Sequence, residues 1–168
     1  MKKLVFVAFL GMGLLANAQS YKGKEDVKLQ IGATIQDGGT GIVLTNDYGI
    51  GENMSFGFSA SYMLSADNIT IANVNYKPEF ADRVDAKVRF NANLGSVIGL
   101  EDNMDLYPGL NLGTRNFGAH LGFRYFFTDG FGVYTEAGIP IAEYDSTPGV
   151  FGKYNNQFVF QIGASFNL

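Results

Sequence analysis

The 168 residues leave room for one domain around one core, and 22 glycines, 15 phenylalanines and nine tyrosines weight them toward strands and tight turns. The absence of cysteine excludes disulfides and thiolate metal sites. Sixteen acidic against twelve basic residues, with no basic run, argue against nucleic acid as a partner.

The chain opens MKKLVFVAFLGMGLLANAQS. Lys2 and Lys3 supply a positive end, Leu4 to Leu15 an apolar stretch, and Ala16-Asn17-Ala18 a small-residue cleavage pattern. This predicts a secretory signal peptide over 1–18 and a mature domain over 19–168. Losing the two lysines leaves ten basic and sixteen acidic residues, a formal charge of −6. No later stretch approaches the length of a membrane-spanning helix, so a mature chain that enters a membrane must do so as a closed barrel.

From there the pattern has a period of two. MSFGFSASYML sets Met54, Phe56, Phe58, Ala60, Tyr62 and Leu64 against Ser55, Gly57, Ser59 and Ser61. RVDAKVRFNANL sets Val84, Ala86, Val88, Phe90, Ala92 and Leu94 against Arg83, Asp85, Lys87, Arg89, Asn91 and Asn93. FGAHLGFRYFF and NQFVFQIGASFNL continue it, and such alternation puts each set on one side of a strand. Eight strands are predicted at 25–35, 40–50, 53–65, 82–95, 104–113, 117–127, 131–142 and 156–168. The two longest connections, Ser65 to Ala81 and Glu143 to Asn155, fall at the same end, as the outer loops of membrane barrels do.

The signal, the eight alternating strands, the Tyr/Phe-rich strand ends and the apolar last strand resemble small bacterial outer-membrane barrels of the OmpA/OmpX type. DLYPGLNLG…NFGAHLGFRYFFTDGFGVYTEAGIPIAEY is also similar to uncharacterised barrel families. The resemblance implies an all-β, eight-stranded antiparallel up-and-down transmembrane β-barrel in the bacterial outer membrane. It implies lipid and the barrel-assembly machinery as partners, the latter engaging the C-terminal strand. That machinery reads a terminal aromatic residue in such proteins, whereas this chain has Leu168 with Phe166 two before it. A soluble lipocalin-like barrel would instead turn the apolar face inward. The Gly/Ser-rich off-face suits a narrow interior, and the bulky Phe and Tyr suit an exterior.

In the membrane arrangement Lys28, Gln30, Asp85, Lys87, Arg89, Asn91, Asp105, Tyr107, Asn111, His120, Arg124, Tyr134, Glu136, Gln157 and Gln161 face inward. Asp85, Lys87, Arg89, His120, Arg124, Tyr134 and Glu136 form the expected interior polar cluster. Its charges must be paired. It acts either as a structural plug or as the selective lining of a narrow pore. A three-residue Thr128-Asp129-Gly130 loop with left-handed Gly130 pairs Phe127 with Phe131, Arg124 with Tyr134 and Gly122 with Glu136. That register predicts an Arg124–Glu136 ion pair with His120 nearby.

His120 is the only histidine. Outer-membrane lipid A deacylases, also small barrels, use a serine two residues from their histidine; positions 118 and 122 here are glycine. No catalytic set, cofactor or metal site is therefore expected. Glu101, Asp102 and Asp105 read as an acidic turn without EF-hand spacing, and Gly38, Gly39 and Gly41 as hairpin glycines rather than a phosphate loop. Recognition falls to the outer loops, with Tyr76, Phe80, Tyr144, Phe151 and Tyr154 as contact candidates for an unknown surface ligand, or else as extensions of the strands. The expected function is a non-enzymatic structural or surface-interaction barrel. The alternatives are a small solute or ion pore and a membrane-embedded lipid-modifying enzyme.

Overall fold

The computed structural model describes residues 18–144 and 149–168. The predicted signal, apart from Ala18, and residues 145–148 of the last long loop lie outside the described residues. The elements in chain order are β1 (Val27–Gln36), β2 (Gly39–Gly49), β3 (Met54–Ala66), β4 (Ile69–Ile71), β5 (Val74–Tyr76), α1 (Phe80–Arg83), β6 (Val84–Ala92), β7 (Met104–Gly113), β8 (Asn116–Thr128), β9 (Phe131–Glu143) and β10 (Val159–Asn167). Eight of them close an antiparallel barrel in the order β1-β10-β9-β8-β7-β6-β3-β2, while β4 and β5 form a separate hairpin in the β3–β6 connection.

All eight predicted strands are present. The last begins three residues later than expected, at Val159, because the segment before it folds over the barrel mouth. The alternation resolves as polar inside and apolar outside. Phe58 is 54% exposed on the outer wall whereas Arg124 is 0% exposed in the lumen, which rules out the lipocalin-like orientation.

Glycine makes the narrow interior possible. Tyr107 lies directly across from Gly122, His120 from Gly109, and Asp47 from Gly57. A Cβ at Gly122 would fall within the Tyr107 ring, and one at Gly109 against the His120 ring. Each bulky inward side chain thus occupies the space that its cross-strand neighbour lacks.

The β8–β9 register pairs Arg124 with Tyr134 and Gly122 with Glu136, as expected. The turn itself differs. Thr128, not Phe127, pairs with Phe131, and Gly130 does not take the left-handed conformation. Thr128 Oγ1 accepts a hydrogen bond from the Phe131 N–H at 3.1 Å, and the extra residue is absorbed as a bulge at Phe127.

Both ends are covered. At the end carrying the β2–β3 and β8–β9 turns, Tyr21 donates its hydroxyl to the carbonyls of Gly51 (2.9 Å) and Met54 (2.6 Å), and the Ser20 N–H bonds to Asp102 O at 2.7 Å. This holds residues 18–26 across the opening. At the other end, residues 151–157 form a strap over the mouth.

Candidate functional site

Five barrel strands send charged or aromatic side chains into one luminal layer. Asp47 comes from β2, Arg89 from β6, Tyr107 from β7, His120 and Arg124 from β8, and Tyr134 and Glu136 from β9. Arg89 grips Glu136 with two bonds, Nη2 to Oε2 at 2.6 Å and Nη1 to Oε1 at 3.2 Å. Its Nε lies 3.2 Å from Asp47 Oδ1, off the N–H axis, so that contact is coulombic rather than a hydrogen bond. The other oxygen of Asp47 accepts from Arg124 Nη2 at 3.1 Å. The Arg124 guanidinium also rests 3.9 Å from the centre of the Tyr107 ring.

The expected Arg124–Glu136 pair is therefore incorrect: Arg124 belongs to Asp47, and Glu136 to Arg89. In so narrow a barrel a long side chain reaches strands across the lumen as readily as the next strand. Asp47 is the residue that sequence reasoning missed. Its strand's inward set, Gly41, Val43, Thr45 and Asp47, mixes apolar and polar types, so the face carries no clear signature, although alternation counted from Leu44 would have turned Asp47 inward.

The other members of the predicted cluster lie in this layer or beside it. Lys87 pairs with Asp85 at 3.3 Å nearer the strap, and Thr114 Oγ1 donates to Asp85 at 3.0 Å. Tyr134 is buried, with its hydroxyl unpartnered. His120 Nε2 lies 2.7 Å from Asn91 Oδ1 and 3.1 Å from Arg89 Nη2, and its Nδ1 lies 3.2 Å from Asn111 Nδ2. A neutral ring with its proton on Nε2 satisfies both amides. No serine, threonine or carboxylate is among the hydrogen-bond partners of the ring in the described residues. The luminal voids beneath the strap measure about 30 and about 10 Å³, room for single water molecules.

No group of three or more His, Asp or Glu side chains converges on a metal-sized point among the described residues. The acidic turn disperses. Asp105 faces inward and accepts from the Gly95 N–H at 3.1 Å, whereas Glu101 is exposed.

At the strap end the aromatic contact candidates divide. Tyr76, Phe80 and Tyr144 are 40%, 71% and 53% exposed. Phe151 and Tyr154 are buried, packed with Met63 against Ala66 and Ile69, so they are not available as an open contact surface. Nor do they extend the strands. Tyr154 donates to Asp67 O at 2.6 Å, the Asn155 N–H bonds to Gln36 Oε1 at 2.9 Å, and Asn116 Nδ2 reaches Asn155 O at 2.7 Å. A groove of about 640 Å³ remains between α1, the β7–β8 turn and the strap, lined by Phe80, Arg115, Tyr144 and Val150 among others.

The family of unknown function DUF6646 matches residues 11–168. The chain belongs to that family. No curated protein matches the chain. The crystal structure of the N-terminal β-barrel domain of Pseudomonas aeruginosa OprF superposes with a TM-score of 0.58 at 10% identity, covering 88% of this chain and 100% of that one. At that identity the likeness is one of fold alone. No helix among the described residues is long and apolar enough to cross a membrane, which says nothing of strands.

Proposed function

We propose that the mature DUF6646 chain, residues 19–168 after removal of the signal, is an outer-membrane barrel. Its strap end faces the cell exterior, and its role is structural or surface-interactive rather than enzymatic. One observation carries the reading: a closed wall that is apolar outside and charged inside. Every barrel strand sets a bulky apolar side chain outward, from Phe56 at 37% exposure to Leu64 at 61%. In water such a wall would be a large aggregating surface; in a bilayer it is the surface the lipid solvates. The barrel-assembly machinery would receive the chain through β10.

The luminal layer supports a plug more than a pore. Conduction would require both the strap and the Arg89–Glu136–Asp47–Arg124 layer to move. A lipid-modifying role finds little support, since the ring nitrogens of His120 face amides and a guanidinium within the lumen. Surface interaction would use the exposed Tyr76, Phe80 and Tyr144 and the groove beside α1.

Cell fractionation combined with protease treatment of intact cells tests this reading. The chain should fractionate with the outer membrane and be cut in its outer loops, after Lys77 or Lys153, while Lys22 and Lys24 stay protected. Recovery as a soluble periplasmic protein, or cleavage at Lys22 and Lys24 in intact cells, would contradict it.

A further inference from the structure

Five carboxylates are buried among the described residues, and four of them meet a cationic side chain. Asp26 pairs with Lys28, Asp47 with Arg89 and Arg124, Asp85 with Lys87, and Glu136 with Arg89. Asp105 is the exception. Its Oδ1 accepts from the Gly95 N–H at 3.1 Å, while its Oδ2 is sealed from solvent and has no partner. Arg124 stands opposite in the β7–β8 register, but its ion pair is with Asp47. Asn93, one residue past β6, gives its Nδ2 to Ser55 Oγ at 3.2 Å, and its Oδ1 is likewise sealed and unpartnered. Both side chains line one small void of about 30 Å³ at the mouth that residues 18–26 cross. Glu101 and Asp102 stand exposed at its rim, and Ser20 and Tyr21 close it from the N-terminal side.

A buried carboxylate without a counter-charge is costly, and two sealed acceptors need a partner that brings positive charge and no lone pair. We propose that Asp105 Oδ2 and Asn93 Oδ1 bind one Ca²⁺ ion at this mouth of the barrel. Calcium sits about 2.3–2.6 Å from its oxygens, closer than a water molecule approaches, so it reaches acceptors from which solvent is excluded. Water entering past Glu101 completes the shell. Mg²⁺ gives up its own waters reluctantly and suits two dry oxygens poorly. Glu101 and Asp102 draw the cation to the rim without touching it. With Ser20 and Tyr21 on one side of the void and the β6–β7 connection on the other, the ion clasps residues 18–26 across the opening.

The site needs only the folded barrel and does not depend on the membrane reading. Barrels purified in detergent and stripped with chelator, scored for folding by heat-modifiable gel migration, are titrated with CaCl₂. Binding is followed by isothermal calorimetry, and closure by endoproteinase Lys-C cleavage after Lys22 and Lys24. Wild type should bind Ca²⁺ saturably with a Kd of about 10⁻⁴–10⁻³ M, the range of extracellular modules, and cleavage should slow severalfold at saturation. Asp105→Asn should weaken binding about tenfold or more, and Asn93→Asp, which adds a second carboxylate ligand, should tighten it severalfold. Asp129→Asn, at an exposed acid of the β8–β9 turn, should leave it unchanged. No saturable binding below about 10 mM CaCl₂, equal effects of CaCl₂ and MgCl₂, or full affinity in Asp105→Asn would overturn the site. If Asp105→Asn does not fold, Asn93→Asp decides: tighter binding supports the site, and unchanged or weaker binding overturns it.

Discussion

Asp47 is placed between two guanidiniums, Arg89 at 3.2 Å and Arg124 at 3.1 Å, with all three side chains at most 3% exposed. Removing it leaves Arg124 without its carboxylate and Arg89 with only Glu136. Asp47→Ala should therefore destabilise the folded barrel by about 3–5 kcal/mol, the cost of uncompensated buried charge. Glu136→Gln should cost less, because Arg89 keeps Asp47. Urea unfolding of vesicle-folded barrels checks the order, and equal midpoints for Asp47→Ala and wild type would contradict it. Steric fit gives a second residue-scale test. Gly122→Ala puts a methyl into the Tyr107 ring and should cost about 1–3 kcal/mol, measured in the same assay. A third concerns Tyr21, outside the strands, whose pKa is pushed up to about 12 by burial and by the Asp26 carboxylate. The raised value means that the neutral, donating hydroxyl favours the folded state. That contribution is fully present below pH 10, the ordinary value, and is lost as pH rises toward 12. The protection of residues 20–26, measured as proteolytic resistance relative to the strands at each pH, should fall over that window, and Tyr21→Phe should show the lower protection already at neutral pH.

The strap and the strands obey different rules at the scale of elements. Strap residues 151–157 are held by Tyr154 in its small apolar core and by the amides of Gln36, Asn116 and Gln157. Tyr154→Ala should free this segment, so that trypsin cuts after Lys153 faster while the heat-modifiable barrel persists; an unchanged cleavage rate would contradict the role assigned to Tyr154. The strands were legible because a period of two maps directly onto wall faces, and bulky apolar residues could not share a narrow lumen with the charges. The strap was not legible, since a segment with no period carries no signal for where it folds, and Phe151 and Tyr154 read equally well as exposed. The ion-pair partners were likewise hidden. Local register brings Glu136 diagonal to Arg124, but the lumen brings Asp47 from a distant strand, and only the closed barrel shows which carboxylate each guanidinium meets. The bulge at Phe127 depended on one hydroxyl, Thr128 Oγ1, that no hydrophobic pattern records.

As a whole molecule, the barrel joins an apolar outer wall to a lumen filled by paired charges and capped at both ends. Its coarse architecture is shared with the OprF barrel at 10% identity, so the architecture follows from alternation and closure rather than from particular side chains. The central claim is that the wall meets lipid. The absence of cysteine permits clean single-site spin labels along β8 in vesicles. Labels at Ala119, Leu121, Phe123 and Tyr125 should collide readily with oxygen and poorly with a water-soluble nickel chelate, whereas labels at His120 and Phe126, in place of side chains that already fill the lumen, should be shielded from both. A reversed pattern, or accessibility to the nickel chelate without a period of two, would contradict the account.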